Sequence, residues 1–292
     1  MERRTKFAIL LMPLSMMLLS VLRAGQFLPE HASSIVDRAG LVLSKLATSD
    51  ADESTYRCEH AYTVELLSLD PLAIYINNFL RDDEIDHLLA LGEPRFRTST
   101  VFAGSQGFHE VLNTTLRSSQ TAFLPQDDPV CRCLAGRLQS FLGNVQHLQV
   151  EALQIVKYEA GGDHYKSHTD WFDAPKVDLA YGPEDATPRP SNRLASVFAY
   201  LADCERGETY FPYLPPVTEA ADGSKFALAD GDTGLLVRPR KGNAIFWNNL
   251  HANGTGDDRT YHAGLPVESG TKIGLNIWSR YFLDTPMVGG GS

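Results

Sequence analysis

The sequence predicts a mainly β protein with flanking helices, and three observations carry that expectation. From residue 149 onward, apolar and β-branched residues come in short runs cut by Gly and Pro turns, the pattern of a sandwich or barrel. The last run, 272–282, alternates: Lys272, Gly274, Asn276, Trp278 and Arg280 fall on one face, and Ile273, Leu275, Ile277, Ser279 and Tyr281 on the other. The apolar set is expected to pack outwards under helices and the polar set to line a pocket. Two earlier stretches have helical spacing, with Ile85, Leu88, Leu89 and Leu91 in one and Val130, Leu134, Leu138, Phe141 and Leu142 in the other.

Taken in order, the chain opens on the basic hexapeptide Met1-Glu2-Arg3-Arg4-Thr5-Lys6, followed by the uncharged run 7–22. Residues 1–24 therefore read as a signal anchor or signal peptide. A membrane span needs about 20 apolar residues, so this run lies between the two cases. Pro13 interrupts it, Arg23 ends it and only Ala24 offers a cleavage site, which favours an uncleaved anchor with its basic end in the cytosol. Either way the remainder faces the lumen of the secretory pathway, and membrane contact is expected through this segment alone. The sequons at Asn113 and Asn253 agree with that placement. Residues 25–66 read as a spacer with a helix near 34–46.

The folded domain is expected over 67–285. A strand at 71–76 leads to a helix capped by Asp82 or Asp83 and ended by Gly92, then to strand-like runs at 98–103 and 117–123. Asp128 before Pro129 caps the second helix, which runs to Gly143. Strands follow at 149–158, 193–201, 233–237, 243–247, 259–264 and 272–282. Residues 173–192, rich in Pro, Gly and acids, read as a loop where a lid would sit. Four cysteines allow three pairings, left open by the sequence, and Cys131 and Cys133 could equally be buried thiols on the helix. The 36 acidic against 26 basic residues give a formal charge of -10, which argues against a nucleic-acid partner.

Chemistry concentrates in 161–173, where His168-Thr169-Asp170 follows a strand-like run. Residues i and i+2 of a strand share a face, so His168 and Asp170 are expected to reach one metal ion. His164 and His168, four apart, would be the rival zinc pair, but Gly161-Gly162 precedes them and no glutamate stands at the expected place between them. His262 and His251 compete as the third ligand. His262 is preferred because the strand after it carries Lys272, which iron alone would not require. Two histidines and a carboxylate form the facial triad of non-haem Fe(II) oxygenases. Trp171, Phe172, Trp247 and Trp278 are candidates for the pocket wall.

The order of motifs is more specific than any one of them: Tyr158 and Gly161, His168-x-Asp170, Arg193 to Tyr200-Leu201, Gly207-Glu208-Thr209-x-Phe211-Pro212, Pro239-x-Lys241-Gly242-Asn243-Ala244, His262-x-Gly264-x-Pro266-Val267, Gly270-x-Lys272 and Asn276-x-Trp278. In this the chain resembles the prolyl 4-hydroxylase type of Fe(II)/2-oxoglutarate-dependent dioxygenases. The resemblance implies a double-stranded β-helix (jelly-roll or cupin-like) core and iron held by His168, Asp170 and His262. It also implies that Lys272 meets the distal carboxylate of 2-oxoglutarate, with Tyr158 and Ser196 as helpers. Three positions depart from the pattern: one extra residue separates Tyr158 from His168, Arg206 replaces the usual Gly, and Ser196 replaces Thr.

What the resemblance implies about activity is hydroxylation of a C–H bond with consumption of O2 and release of succinate and CO2, ascorbate serving as reductant. A peptidyl proline in a secreted or cell-wall protein is the expected substrate, and a small metabolite the alternative. The address would be the endoplasmic reticulum membrane or lumen. A metal-free barrel used only for binding is disfavoured by the complete triad and Lys272.

Overall fold

The computed structural model describes residues 56–103, 109–143, 148–178, 189–214, 223–229 and 234–284. The targeting segment, the helix expected near 34–46 and most of the spacer lie outside the described residues. A compact unit begins at Tyr56, so 56–66 belong to the folded domain rather than to the spacer. The Cys58–Cys133 disulfide ties this segment to the second helix, and the Tyr56 hydroxyl donates to Glu84 Oε1 at 2.6 Å. Cys131, two positions from Cys133 and so about 200° around the helix, stays a buried thiol.

The large sheet is built on β1 (Thr63–Leu69), β2 (Leu72–Asn77), β3 (Arg97–Thr98), β4 (Gln120–Phe123), β5 (Gln154–Glu159), β7 (Arg189–Tyr200), β10 (Ala244–Asn248) and β12 (Thr271–Phe282). Its order is β1-β2-β10-β7-β12-β5-β4-β3. The smaller sheet contains β6 (Tyr165–His168), β8 (Thr209–Phe211), β9 (Leu235–Val237) and β11 (His262–Gly264), in the order β9-β8-β11-β6, with Phe226–Leu228 beside β9. From β5 onward the chain alternates between the sheets: β5 in the large one, β6 in the small, β7 in the large, β8 and β9 in the small, then β10, β11 and β12 in turn. That winding makes a double-stranded β-helix.

Two apolar cores follow from strand parity. On the outer face of the large sheet, Leu275, Ile277 and Tyr281 of β12 meet α1 (Asp82–Gly92) and α2 (Pro129–Phe141) through Ile85, Leu88, Leu134 and Leu138. Between the sheets, Phe198 and Tyr200 pack with Phe211, Val237 and Trp247. The Asp128 cap is as expected, its Oδ1 accepting from the Val130 and Cys131 N–H groups. In α1 the cap is Arg81 instead of Asp82 or Asp83. Those residues and Glu84 fill the first turn, where carboxylates complement the helix dipole, and Glu84 accepts from the Arg81 N–H at 2.9 Å. The segment 173–192, expected to be entirely loop, contains a strand at Lys176–Asp178 that pairs with β7.

Candidate active site

The open end of the barrel brings together the two candidate metal-binding motifs. β6 and β11 are neighbours, and His168 and His262 are cross-strand partners. β6 ends at His168, so Asp170 lies in a bend past the strand, and it is this bend rather than strand alternation that turns its carboxylate back. His168 Nε2 is 3.8 Å from Asp170 Oδ1, and His262 Nε2 is 3.9 Å from Oδ2. All three ligand atoms lie within 4.8 Å of one another.

The surroundings fix these donors in the forms a metal needs. His168 Nδ1 meets the Lys166 carbonyl and His262 Nδ1 meets the Thr260 carbonyl, each at 2.9 Å, so both rings present Nε2 to the centre. Asp170 Oδ2 accepts from Ser196 Oγ at 2.6 Å and from Trp278 Nε1 at 2.9 Å, leaving Oδ1 directed at His168. Burial, then the neighbouring His262, pushes the His168 pKa down to about 3. Burial acts against the Asp170 carboxylate, but His262, His168 and Arg193 outweigh it and hold the pKa at about 2. A carboxylate and two imidazoles that turn their Nε2 atoms to a shared point match the donor set of a divalent iron with open positions.

The expected 2-oxoglutarate residues divide. Lys272 is 1% exposed, and its Nζ lies 5.3 and 5.2 Å from the ring centroids of Tyr158 and Phe198. Among the described residues no carboxylate lies within ion-pairing distance of it. Burial lowers its pKa to about 8, partly opposed by Cys204 and Glu208. A Cβ on Gly264 would stand 3.7 Å from both Lys272 Nζ and the Tyr158 hydroxyl, so these two groups converge on one point of the cavity. A buried ammonium without a counter-charge, beside a phenol, fits a carboxylate ligand. Ser196 does not line the cavity: it is fully buried, donates to Asp170 and accepts from Asn249 Nδ2 at 2.9 Å. It bears on the metal ligand.

His251 sits apart, exposed, with Nδ1 3.6 Å from Asp257. His164 turns to the Gly162 carbonyl. Arg206 holds the left-handed conformation, φ 62°, at a bulge where the exposed two-residue strand Glu205–Arg206 pairs with Val267–Ser269, and it meets Glu268; beside it is Gly207, whose missing Cβ would stand 3.4 Å from Lys272 Cδ.

The cavity measures about 970 Å³, and Trp171, Phe172, Trp247 and Trp278 are all in its wall. Two further residues shape it. Arg193 pairs with Glu151 at 2.8 Å and lies 3.7 Å over the Trp278 ring, which holds the indole N–H on Asp170. Arg117 is buried, stacks 4.6 Å over Tyr165 and bonds Ser119, Thr121 and the Thr100 carbonyl. Trp278 was reachable from the parity it shares with Lys272. Arg117 carries no such signal, because its partners are assembled only by the tertiary fold.

Known proteins similar to this chain place it in a family. Residues 153–280 match the family model of the 2OG-Fe(II) oxygenase superfamily. Probable prolyl 4-hydroxylase 6 of Arabidopsis thaliana is 34% identical over 216 residues, covering 73% of this chain and 70% of that protein. Prolyl 4-hydroxylase subunit alpha-2 of Caenorhabditis elegans is 35% identical over 217 residues, 74% of this chain but only 35% of that longer protein. A crystal structure of the viral collagen prolyl hydroxylase of Paramecium bursaria Chlorella virus-1 aligns over 72% of this chain and 96% of its own, at 26% identity and a TM-score of 0.49. The chain belongs to the 2OG-Fe(II) oxygenase superfamily. Within it, its relatives are prolyl 4-hydroxylases.

Proposed function

We propose that this protein hydroxylates peptidyl proline, using Fe(II) held by His168, Asp170 and His262 and 2-oxoglutarate anchored by Lys272 and Tyr158, with ascorbate as reductant. The observation that carries the reading is the pairing, at one barrel end, of a three-ligand centre with a buried ammonium that has no counter-charge among the described residues. The bound iron and 2-oxoglutarate supply the oxidising chemistry, which releases succinate and CO2. The chain's own groups bind, orient and exclude water: Lys272 gives the distal carboxylate its counter-charge, Tyr158 donates its phenolic proton, and Ser196 and Trp278 hold Asp170.

A peptide substrate is supported by the relatives' names and by a cavity that continues beyond the metal centre to the surface at Phe123. Purified protein with Fe(II), ascorbate and 2-oxoglutarate should release succinate faster with proline-rich peptides than with free proline, since such peptides already hold the extended shape. Stimulation by free small molecules alone would contradict the reading. A lumenal address is supported by the basic and apolar start of the chain, the Cys58–Cys133 disulfide, and sequons whose Asn113 and Asn253 lie in surface turns. Protease protection of the C-terminal part in sealed microsomes tests it; full digestion without detergent would place the enzyme in the cytosol.

A further inference from the structure

The large sheet does not stop at the barrel wall. β5, β4 and β3 continue it past β12, and they carry the floor of the cavity outwards: Asn276 pairs with Gln154, Gln154 with Phe123, and Arg97 with Thr121. All five line the cavity. Phe123 is 54% exposed at its outer part, and the floor ends on Arg95 and Arg97.

The charge at this end is unusual for the molecule. The chain carries a formal charge of -10, yet the cavity lining holds six Arg or Lys against three Asp or Glu. Inside, the charges are committed: Asp170 to the metal centre, Glu151 to Arg193, and Lys272 to the 2-oxoglutarate end. Arg95 and Arg97 are not. Each bonds only a nearby main-chain carbonyl, of Leu91 and Phe96, and among the described residues neither meets a carboxylate. Two exposed guanidiniums beside an exposed aromatic ring at the end of a groove are a recognition surface for an anionic side chain.

We propose that Arg95 and Arg97 select substrate peptides with an acidic residue at a set distance from the hydroxylated proline. The inference rests on the peptide-substrate reading above. The metal centre stands over β12, through the bond from Trp278 to Asp170. Three inter-strand steps separate β12 from β3, about 14 Å, and the register sets Arg97 in line with Thr121, Val156 and Gly274, four residues or about 13 Å along β12 from Trp278, so the two ends stand about 19 Å apart. An extended polyproline II segment rises about 3.1 Å per residue, so the carboxylate falls about six residues from the reacting proline. Charge complementarity at this end raises affinity without touching the reacting atoms, so the effect belongs in KM.

The test compares two proline-rich peptides in the succinate assay. They are identical except that one carries Glu six positions on either side of the central proline and the other carries Gln there. With wild-type enzyme the Glu peptide should have a KM about three- to tenfold lower, the size expected of exposed charge pairs engaging two guanidiniums. In the double variant Arg95→Gln/Arg97→Gln the ratio of the two KM values should fall to about one. Because the readout is a ratio, a variant of generally lower activity moves both peptides together. Equal KM values with wild type, or an undiminished ratio in the double variant, would overturn this proposal and leave the hydroxylase reading standing. Failure of both peptides to raise succinate above the peptide-free rate would overturn the two together.

Discussion

Replacing Lys272 with Met tests the site in two directions at once. The substitution keeps an unbranched side chain one atom shorter and removes its charge. In the free protein the ammonium is buried, with two aromatic rings near it and, among the described residues, no carboxylate within ion-pairing distance. Its pKa of about 8, against 10.5 for an ordinary lysine, means the folded state disfavours the proton. The resulting cost is fully present below pH 8 and fades as pH rises from 8 towards 10.5. It amounts to about 3 kcal/mol. Lost cation–π contacts return about 1 kcal/mol of that. Lys272→Met should therefore make the ligand-free protein about 2 kcal/mol more stable at pH 7, raising Tm by roughly 4–8 °C in a domain of this size.

The same change should damage 2-oxoglutarate binding. Removing one partner of a buried charge pair costs about 3–5 kcal/mol, which is roughly a hundredfold to several thousandfold in the 2-oxoglutarate KM. Iron affinity should stay within about twofold, since the ligands are untouched. Thermal melts at pH 7 and pH 9.5, with and without 2-oxoglutarate, and a steady-state titration read both effects. The stability advantage should shrink at the higher pH. A variant that melts below wild type and shifts KM by less than threefold, the size of a surface pair, refutes the assignment of Lys272 as a buried anchor.

Other perturbations follow from the same geometry. His168→Ala, Asp170→Ala and His262→Ala should each abolish iron-dependent turnover, whereas His251→Ala, remote and paired with Asp257, should remain active; a dead His251 variant beside a normal His262 variant would reverse the ligand assignment. Trp278→Phe keeps the ring but removes the N–H that Asp170 accepts, so iron affinity should fall about tenfold or more, and unaltered iron binding would show that Ser196 alone suffices. Arg206→Gly should raise stability by up to about 1 kcal/mol, because glycine adopts φ 62° without strain and the lost pair with Glu268 is exposed. A lower Tm would mean the pair outweighs the strain.

The parts of this protein written locally in the sequence are those set by period and by turn chemistry. The alternation in β12 told which residues face the helices and which face the cavity, since one step along a strand reverses the side chain. Asp128 before Pro129 fixed the start of α2 because cap and first turn are neighbours in the chain. The spacing of His168 and Asp170, with a later histidine and Lys272, was enough to name the chemistry. Tertiary structure decided everything that depends on pairing across long separations. His262, and not His251, joins His168 and Asp170 in the candidate metal site, because β11 lies beside β6 in a register that sets it opposite His168. Ser196, 26 residues from Asp170, turned to the metal ligand rather than to the cavity, and Cys58 found Cys133 across 75 residues. The three-residue strand Lys176–Asp178 forms against β7, and its own residues gave no strand signal. Arg117 gained its place by stacking on Tyr165, 48 positions away along the chain. Such contacts leave no local trace, because what brings the partners together is the burial and hydrogen bonding of whole sheets and not the preference of any one segment.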